Sequence, residues 1–228
     1  MSNAKILIVD DEPSIVKLIE AYLKPEGYEV YTASDGNAAL KAARAFKPDL
    51  ILLDIMLPGM DGIELLTHLR RESDVYVILL TAKTEETDKI VGLTVGADDY
   101  VTKPFSPREL TARVKAALRR LQAGAGPRSG TSVLAFRHVR VDAGARLVTV
   151  DDQPIELTAL EFDLLRVLAE NRGRVLSREQ LLEKVWGGEY FGETRVVDVH
   201  LGHVRQKLGS QFIVTVRGVG YRFDDEAL

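Results

Sequence analysis

Between Lys5 and Leu121 short apolar runs alternate five times with amphipathic segments, and this alternation constrains the chain more than any other feature. Repeated strand-helix units of this kind form a parallel sheet covered by helices on both faces and joined by right-handed crossovers. Strands are expected at Lys5 to Val9, Glu29 to Ala33, Asp49 to Leu53, Val75 to Leu80 and Asp99 to Val101. Helices are expected at Ser14 to Lys24, Gly36 to Phe46, Gly62 to Arg71, Glu85 to Val95 and Pro107 to Leu121. The last start is marked by Ser106 as N-cap, Pro107 at the first helical position and Glu109 as the capping-box acid. In the third strand, Leu50 to Leu53 form an unbroken apolar run too short for a helix, as in a strand buried on both faces. The run ends in Asp54, ahead of a loop carrying Pro58, Gly59 and Gly62.

From Gln122 to Ser132 the sequence QAGAGPRSGTS has no apolar periodicity and reads as a flexible linker. The expected organisation is therefore a first domain over 1–121, a linker over 122–132 and a second domain over 133–228. The second domain opens with β-like stretches, then has capping boxes at Thr158 with Glu161 and at Ser177 with Gln180. A third helix follows from about Thr194 to Leu208, and FIVTVRGVGYRF reads as a terminal hairpin. Sheet, three helices and hairpin is the order of an α+β winged helix-turn-helix.

The chain has no cysteine, which excludes disulfides, thiolate zinc sites and Cys nucleophiles and fits a reducing cytoplasm. No apolar run approaches the ~20 residues that span a bilayer, so no membrane association is expected. The net charge of -4 argues against blanket coating of nucleic acid, and any such binding must come from a local patch. One exists: from Arg172 to Arg222, nine Lys or Arg stand against five Asp or Glu.

Asp10 and Asp11 follow the first strand, Asp54 follows the third, Thr81 ends the fourth and Lys103 follows the fifth. In a doubly wound sheet of flavodoxin-like order 2-1-3-4-5 these strand ends lie side by side at the rim where such sheets place their chemistry. Carboxylates around one point repel one another unless a cation sits among them, and carboxylate oxygens suit Mg²⁺. A carboxylate beside a bound cation can attack a phosphoryl group, giving an aspartyl phosphate, with Lys103 and the Thr81 hydroxyl holding phosphoryl oxygens. Phosphatases that work through such an intermediate need a second acid two residues after the nucleophile. Here that residue is Met56, which favours a signal-storing switch over an enzyme.

The segments IVDDE, LLDIMLPGMDG, LLTAK, GADDYVTKPF and REL resemble the receiver domain of bacterial response regulators across the whole first half. The resemblance implies that Asp54 accepts phosphate from a sensor histidine kinase. It further implies that Asp10, Asp11, Asp54 and the backbone carbonyl of Met56 hold Mg²⁺, that Thr81 and Tyr100 are a switch pair, and that Lys103 contacts the phosphoryl group. Charges around KIVGL, ADDY and RELTARV are similar to the dimer face of the OmpR/PhoB subfamily, formed by its fourth helix, fifth strand and fifth helix. Lys89 with Glu109, Asp99 with Arg113 and Asp98 with Arg120 are the expected pairs across a two-fold axis in a phosphorylated homodimer.

On the third helix of the second domain, Val197, Leu201, Val204 and Leu208 form a core stripe. The opposite face carries Arg195, Val199, Gly202 and Gln206, flanked by His203 and Arg205, a surface fit for a major groove. A phosphate-dependent module binding another protein is the competing reading. LTALEFDLLRVLAENRGRVLSREQLLEKVW, TRVVDVHLGHVRQKL and VTVRGVGYRF resemble the OmpR/PhoB winged helix through nearly all of this domain. By that match Arg195, Val199, His203 and Arg205 lie along double-stranded promoter DNA, Thr215 contacts phosphate, and Arg217 enters a minor groove. Trp186 anchors the loop that touches RNA polymerase in relatives. Gly202 departs from the basic residue many relatives carry.

Overall fold

The computed structural model of the chain describes residues 4–82, 92–125, 133–188 and 193–225. They fall into two compact units, Met1–Arg119 and Arg120–Leu228.

The first unit contains β1 (Lys5–Val9), α1 (Pro13–Leu23), β2 (Glu29–Ala33), α2 (Gly36–Phe46), β3 (Leu50–Asp54), α3 (Gly62–Glu72) and β4 (Tyr76–Ala82). After these come α4, described over residues 92–95, then β5 (Asp99–Lys103) and α5 (Pro107–Ala125). The five strands are parallel in the order β2-β1-β3-β4-β5, as the alternating pattern requires. β1 and β3 occupy the interior, where Ile6 to Val9 and Leu50 to Leu53 are 0–1% exposed. Their continuous apolar composition follows from helices covering both faces.

Register brings the strand ends together. Val9 pairs with Leu53, so the next residues, Asp10 and Asp54, emerge as neighbours. Asp54 pairs with Leu80, which places Thr81 one step further along, and Ala82 pairs with Lys103. β4 and β5 each run two residues past their expected bounds, so Lys103 ends its strand rather than following it. Gly62 fixes the loop after β3. Any Cβ there would lie 2.2 Å from the Asp54 carbonyl oxygen, and the Gly62 N–H donates to the Ile55 carbonyl at 2.9 Å. The chain folds back tightly, leaving the Met56 side chain exposed.

α5 continues to Ala125, four residues past its expected end and into the segment read as linker. The small residues there, including Ala123 and Ala125, are compatible with extending an established helix. Residues 126–132, the rest of that segment, lie outside the described residues.

The second unit has an antiparallel sheet of β6 (Val133–Ala135), β7 (Val139–Asp142), β8 (Leu147–Val150) and β9 (Gln153–Ile155). Three helices follow, α6 (Ala159–Glu170), α7 (Arg178–Trp186) and α8 (Arg195–Leu208), and then the hairpin β10 (Ile213–Val216) and β11 (Gly220–Phe223). Both predicted capping boxes are formed, at Thr158 with Glu161 and at Ser177 with Gln180. The hairpin is tied to the start of α7 by reciprocal hydrogen bonds between Leu176 and Tyr221, each 2.9 Å. Gly220 allows this approach, because a Cβ there would lie 2.0 Å from the Leu176 carbonyl oxygen. This is a winged helix. Among the described residues, no helix is long and apolar enough to cross a membrane.

Candidate functional site

At the rim of the parallel sheet, Asp10, Asp11 and Asp54 place carboxylate oxygens within 4.8 Å of one another. Asp10 and Asp54 are buried and Asp11 is exposed, so the cluster has a closed side and an open side. Lys103 reaches in from β5, its Nζ 2.8 Å from Asp10 Oδ2 and 2.9 Å from Asp54 Oδ2. Burial raises the Asp54 pKa above the ordinary carboxylate value; Lys103 opposes the rise and Asp10 adds to it. Burial alone would lower the Lys103 pKa, but the close carboxylates of Asp10 and Asp54 outweigh it, and the net direction is upward. The ammonium is therefore held protonated between two carboxylates.

The donor set fits Mg²⁺. It consists of hard carboxylate oxygens from three residues, open to water on one side. Asp10 Oδ1 accepts from the Glu12 N–H, whereas Asp10 Oδ2, close as it is to Lys103, receives no well-directed hydrogen bond. A buried, under-satisfied carboxylate oxygen aimed into an acidic cluster is a suitable ligand atom. Thr81 is buried, and its hydroxyl donates to the Ala82 carbonyl at 3.3 Å, along its own strand. Tyr100 is only 6% exposed, so its side chain is packed inside.

Asp98, Asp99, Glu109 and Arg113, four of the charges expected to pair between subunits, are engaged within the chain. Arg113 Nη1 lies 3.0 Å from Asp99 Oδ2, and its Nη2 lies 2.8 Å from Glu109 Oε1. Asp98 Oδ2 accepts from Arg70 Nη2 at 2.7 Å and from the Val77 N–H at 2.8 Å. Arg70 also donates to the carbonyls of Gly96 and Val75, so the Asp98 carboxylate is turned back toward α3 and β4. Arg120 lies near the end of α5, and Lys89 lies outside the described residues.

In the second unit the core stripe of α8 is wider than the expected one, because Val196 and His200 are buried alongside Val197, Leu201, Val204 and Leu208. Arg195 and Gln206 are exposed and Val199 partly so. Gly202 has open space where a Cβ would project. Two residues differ from their expected placement. His203 is 15% exposed in its side chain and faces the buried Glu161 on α6, Nδ1 to Oε1 3.9 Å. Arg205 donates twice to the Ile213 carbonyl, at 2.8 and 2.6 Å, and to Thr215 Oγ1 at 2.7 Å. Both stand at the boundary of the core stripe, where helical twist turns a long side chain toward the neighbouring element. Arg205→Ala is expected to destabilise the second unit by about 1–3 kcal/mol, seen as a lower thermal midpoint. Gln206→Ala, at an exposed position, should leave it within about 0.5 kcal/mol. Thr215 and Arg217 are exposed on the wing.

Sequence reasoning missed a network at the base of the wing. Tyr221 OH donates to Asp198 Oδ1 at 2.7 Å, and Arg178 Nε donates to the same oxygen at 2.7 Å. Burial pushes the Tyr221 pKa up, with Asp198 adding to the shift, so the phenol is a donor at neutral pH. A period-seven relation between Asp198 and Arg205 was the available signal, but their partners lie on three other elements, α7, β10 and β11.

An acidic rim with a half-buried lysine on a five-stranded parallel sheet, joined to a winged helix, defines the response-regulator class. Residues 6–115 match the response regulator receiver domain, and residues 152–223 match the C-terminal domain of transcriptional regulatory proteins. The chain is 47% identical over 237 residues to the alkaline phosphatase synthesis transcriptional regulatory protein PhoP of Bacillus subtilis (strain 168), with 98% of both chains covered. A solved mutant of RitR superposes with a TM-score of 0.74 at 30% identity, over 97% of this chain and 99% of that one. The response regulator DrrB, described as a Thermotoga maritima OmpR/PhoB homologue, gives 0.53 at 34% identity over the same shares. The chain belongs to the OmpR/PhoB family of response regulators, DNA-binding transcriptional regulators of two-component systems.

Proposed function

We propose that Asp54 is the phosphoacceptor of this regulator and that its phosphorylation by a sensor histidine kinase sets the affinity of the winged helix for promoter DNA. The observation that carries the reading is the convergence of Asp10, Asp11, Asp54 and Lys103 at one end of the sheet. An Asp54 carboxylate oxygen attacks the phosphorus of the donor, the bond from phosphorus to the leaving group breaks, and Asp54 carries the phosphoryl group. Lys103, already against Asp54 Oδ2, is placed to hold a phosphoryl oxygen. Asp10, Asp11, Asp54 and the Met56 carbonyl would hold Mg²⁺, which supplies charge to offset that of the phosphoryl oxygens. Met56 offers no proton donor or acceptor, which suits a stored signal. The family is one of transcriptional regulators, and we assign no enzymatic turnover to this site.

The Thr81 hydroxyl then leaves the Ala82 carbonyl for the new acceptor, and the packed Tyr100 ring is held in place rather than drawn in from outside. This biases an arrangement the unmodified protein already samples. The face bearing α4, β5 and α5 becomes self-complementary, with Lys89, Glu109, Asp99, Arg113 and Arg120 as the charges that exchange partners. Asp98 contributes only where Arg70 releases it. Isolated surface pairs are worth ~0–1 kcal/mol, so the dimer depends on the whole face. DNA is met by Arg195, Val199, Thr215 and Arg217, with His203 and Arg205 acting from behind. Contact with RNA polymerase is assigned to the loop beside Trp186. The fold and the absence of cysteine suit work in the cytoplasm.

Two measurements test this reading. Mass by light scattering should double on adding beryllofluoride with Mg²⁺, and an unchanged mass contradicts the dimer. Binding to a pool of random duplexes should weaken steeply with salt, whereas the absence of both affinity and salt slope contradicts the DNA reading.

A further inference from the structure

The wing and α8 reach different grooves only if their spacing is held, and two tethers hold it. Near the start of α8, Asp198 accepts from the Tyr221 hydroxyl on β11 and from Arg178 at the start of α7. Seven residues on, Arg205 donates to Ile213 and Thr215 on β10. Residues 198 and 205 are two turns apart on one face, roughly 10 Å along the axis at 1.5 Å per residue. One tether would allow the hairpin to pivot on the helix, whereas two at this separation resist rotation as well as sliding. Tyr221 belongs to both. Thr215 is its register partner across the hairpin, and the guanidinium carbons of Arg205 and Arg178 lie 5.3 and 5.1 Å from its ring centroid. Its backbone bonds to Leu176 fix the same point to the base of α7.

We propose that Tyr221 is a positioning residue for DNA recognition, holding the wing at a fixed offset from α8 so that contact in one groove places Arg217 at the next. The proposal rests on the DNA-binding reading above. It predicts that the contribution of Arg217 to affinity depends on Tyr221, although Tyr221 is 4% exposed and cannot itself touch DNA.

The test is a double-mutant cycle in the full chain, using a duplex that the wild-type protein selects from a random pool. In the wild-type background Arg217→Ala should weaken binding by about fivefold or more. In the Tyr221→Leu background, which loses both ring and hydroxyl, the same change should weaken it by less than about twofold, because an untethered wing no longer delivers Arg217. Where Tyr221→Leu does not fold, Tyr221→Phe serves, since it keeps the ring and removes only the hydroxyl's bonds to Asp198 and Arg178; the cost of Arg217→Ala should again shrink. Equal fold-losses in both backgrounds overturn the proposal and leave DNA binding standing. A wild-type chain that selects no duplex overturns the DNA reading, and this proposal with it.

Discussion

Asp54→Asn abolishes uptake of phosphate from acetyl phosphate: labelled protein or a mass gain equal to one phosphoryl group should be seen in wild type and be absent in the variant. The reason is chemical, since the amide is not a usable nucleophile, and Asp54 is a buried strand-end carboxylate in contact with Lys103. Asp10 shares the burial and the contact with Lys103 and is the nearest alternative, but its Oδ1 is bound to the Glu12 N–H. Label that persists in Asp54→Asn sinks the assignment. The same variant should melt higher than wild type in the absence of Mg²⁺. The folded-state pKa of Asp54 lies above its ordinary value, so ionising it opposes folding. That cost is absent below the ordinary carboxylate pKa and is complete once the pH has risen past the raised one. The gain should therefore appear at neutral pH and vanish in acid.

Lys103→Met should be the most destabilising single change at the rim. It removes the cation between Asp10 and Asp54 and leaves two buried carboxylates facing each other. Breaking a buried charge arrangement by deleting one partner costs about 3–5 kcal/mol. For a domain of this size that is a fall in thermal midpoint of roughly 10 °C or more. The folded-state pKa of Lys103 is raised, so the stabilisation it gives is fully present at neutral pH and lost only as pH climbs through that raised value. Millimolar Mg²⁺ should restore part of the loss, because a ligand that binds only the folded state stabilises it by mass action. It should raise the variant's midpoint by more than it raises that of wild type. A midpoint within about 1 °C of wild type without Mg²⁺, or an equal Mg²⁺ shift in both proteins, would show that the rim charges are not coupled in this way.

What the sequence made legible was whatever depended on local pattern. The run Leu50 to Leu53 could only be a doubly covered strand, and once the order of strands followed, Asp10, Asp54, Thr81 and Lys103 had to meet. Capping boxes at Thr158 and Ser177 likewise announced their helices because both partners lie three residues apart. Side-chain direction at the edge of a stripe was not legible. His203 and Arg205 sit one step from buried positions, and only the placement of Glu161 and the β10 carbonyls decides that they turn inward. Arg70 was invisible for the same reason, since its partners at Val75, Gly96 and Asp98 come from the turns into β4 and β5. The extra turn at the end of α5 was hidden by a glycine-rich composition that a preceding helix can override.

Whether charge at Asp54 governs DNA binding is tested most directly by measuring affinity for one selected duplex, with and without beryllofluoride and Mg²⁺, in wild type and Asp54→Asn. Coupling between distant sites is typically worth 5- to 150-fold, so wild-type affinity should rise by about tenfold or more while the variant stays at the unmodified value. Equal wild-type affinity with and without beryllofluoride would contradict it.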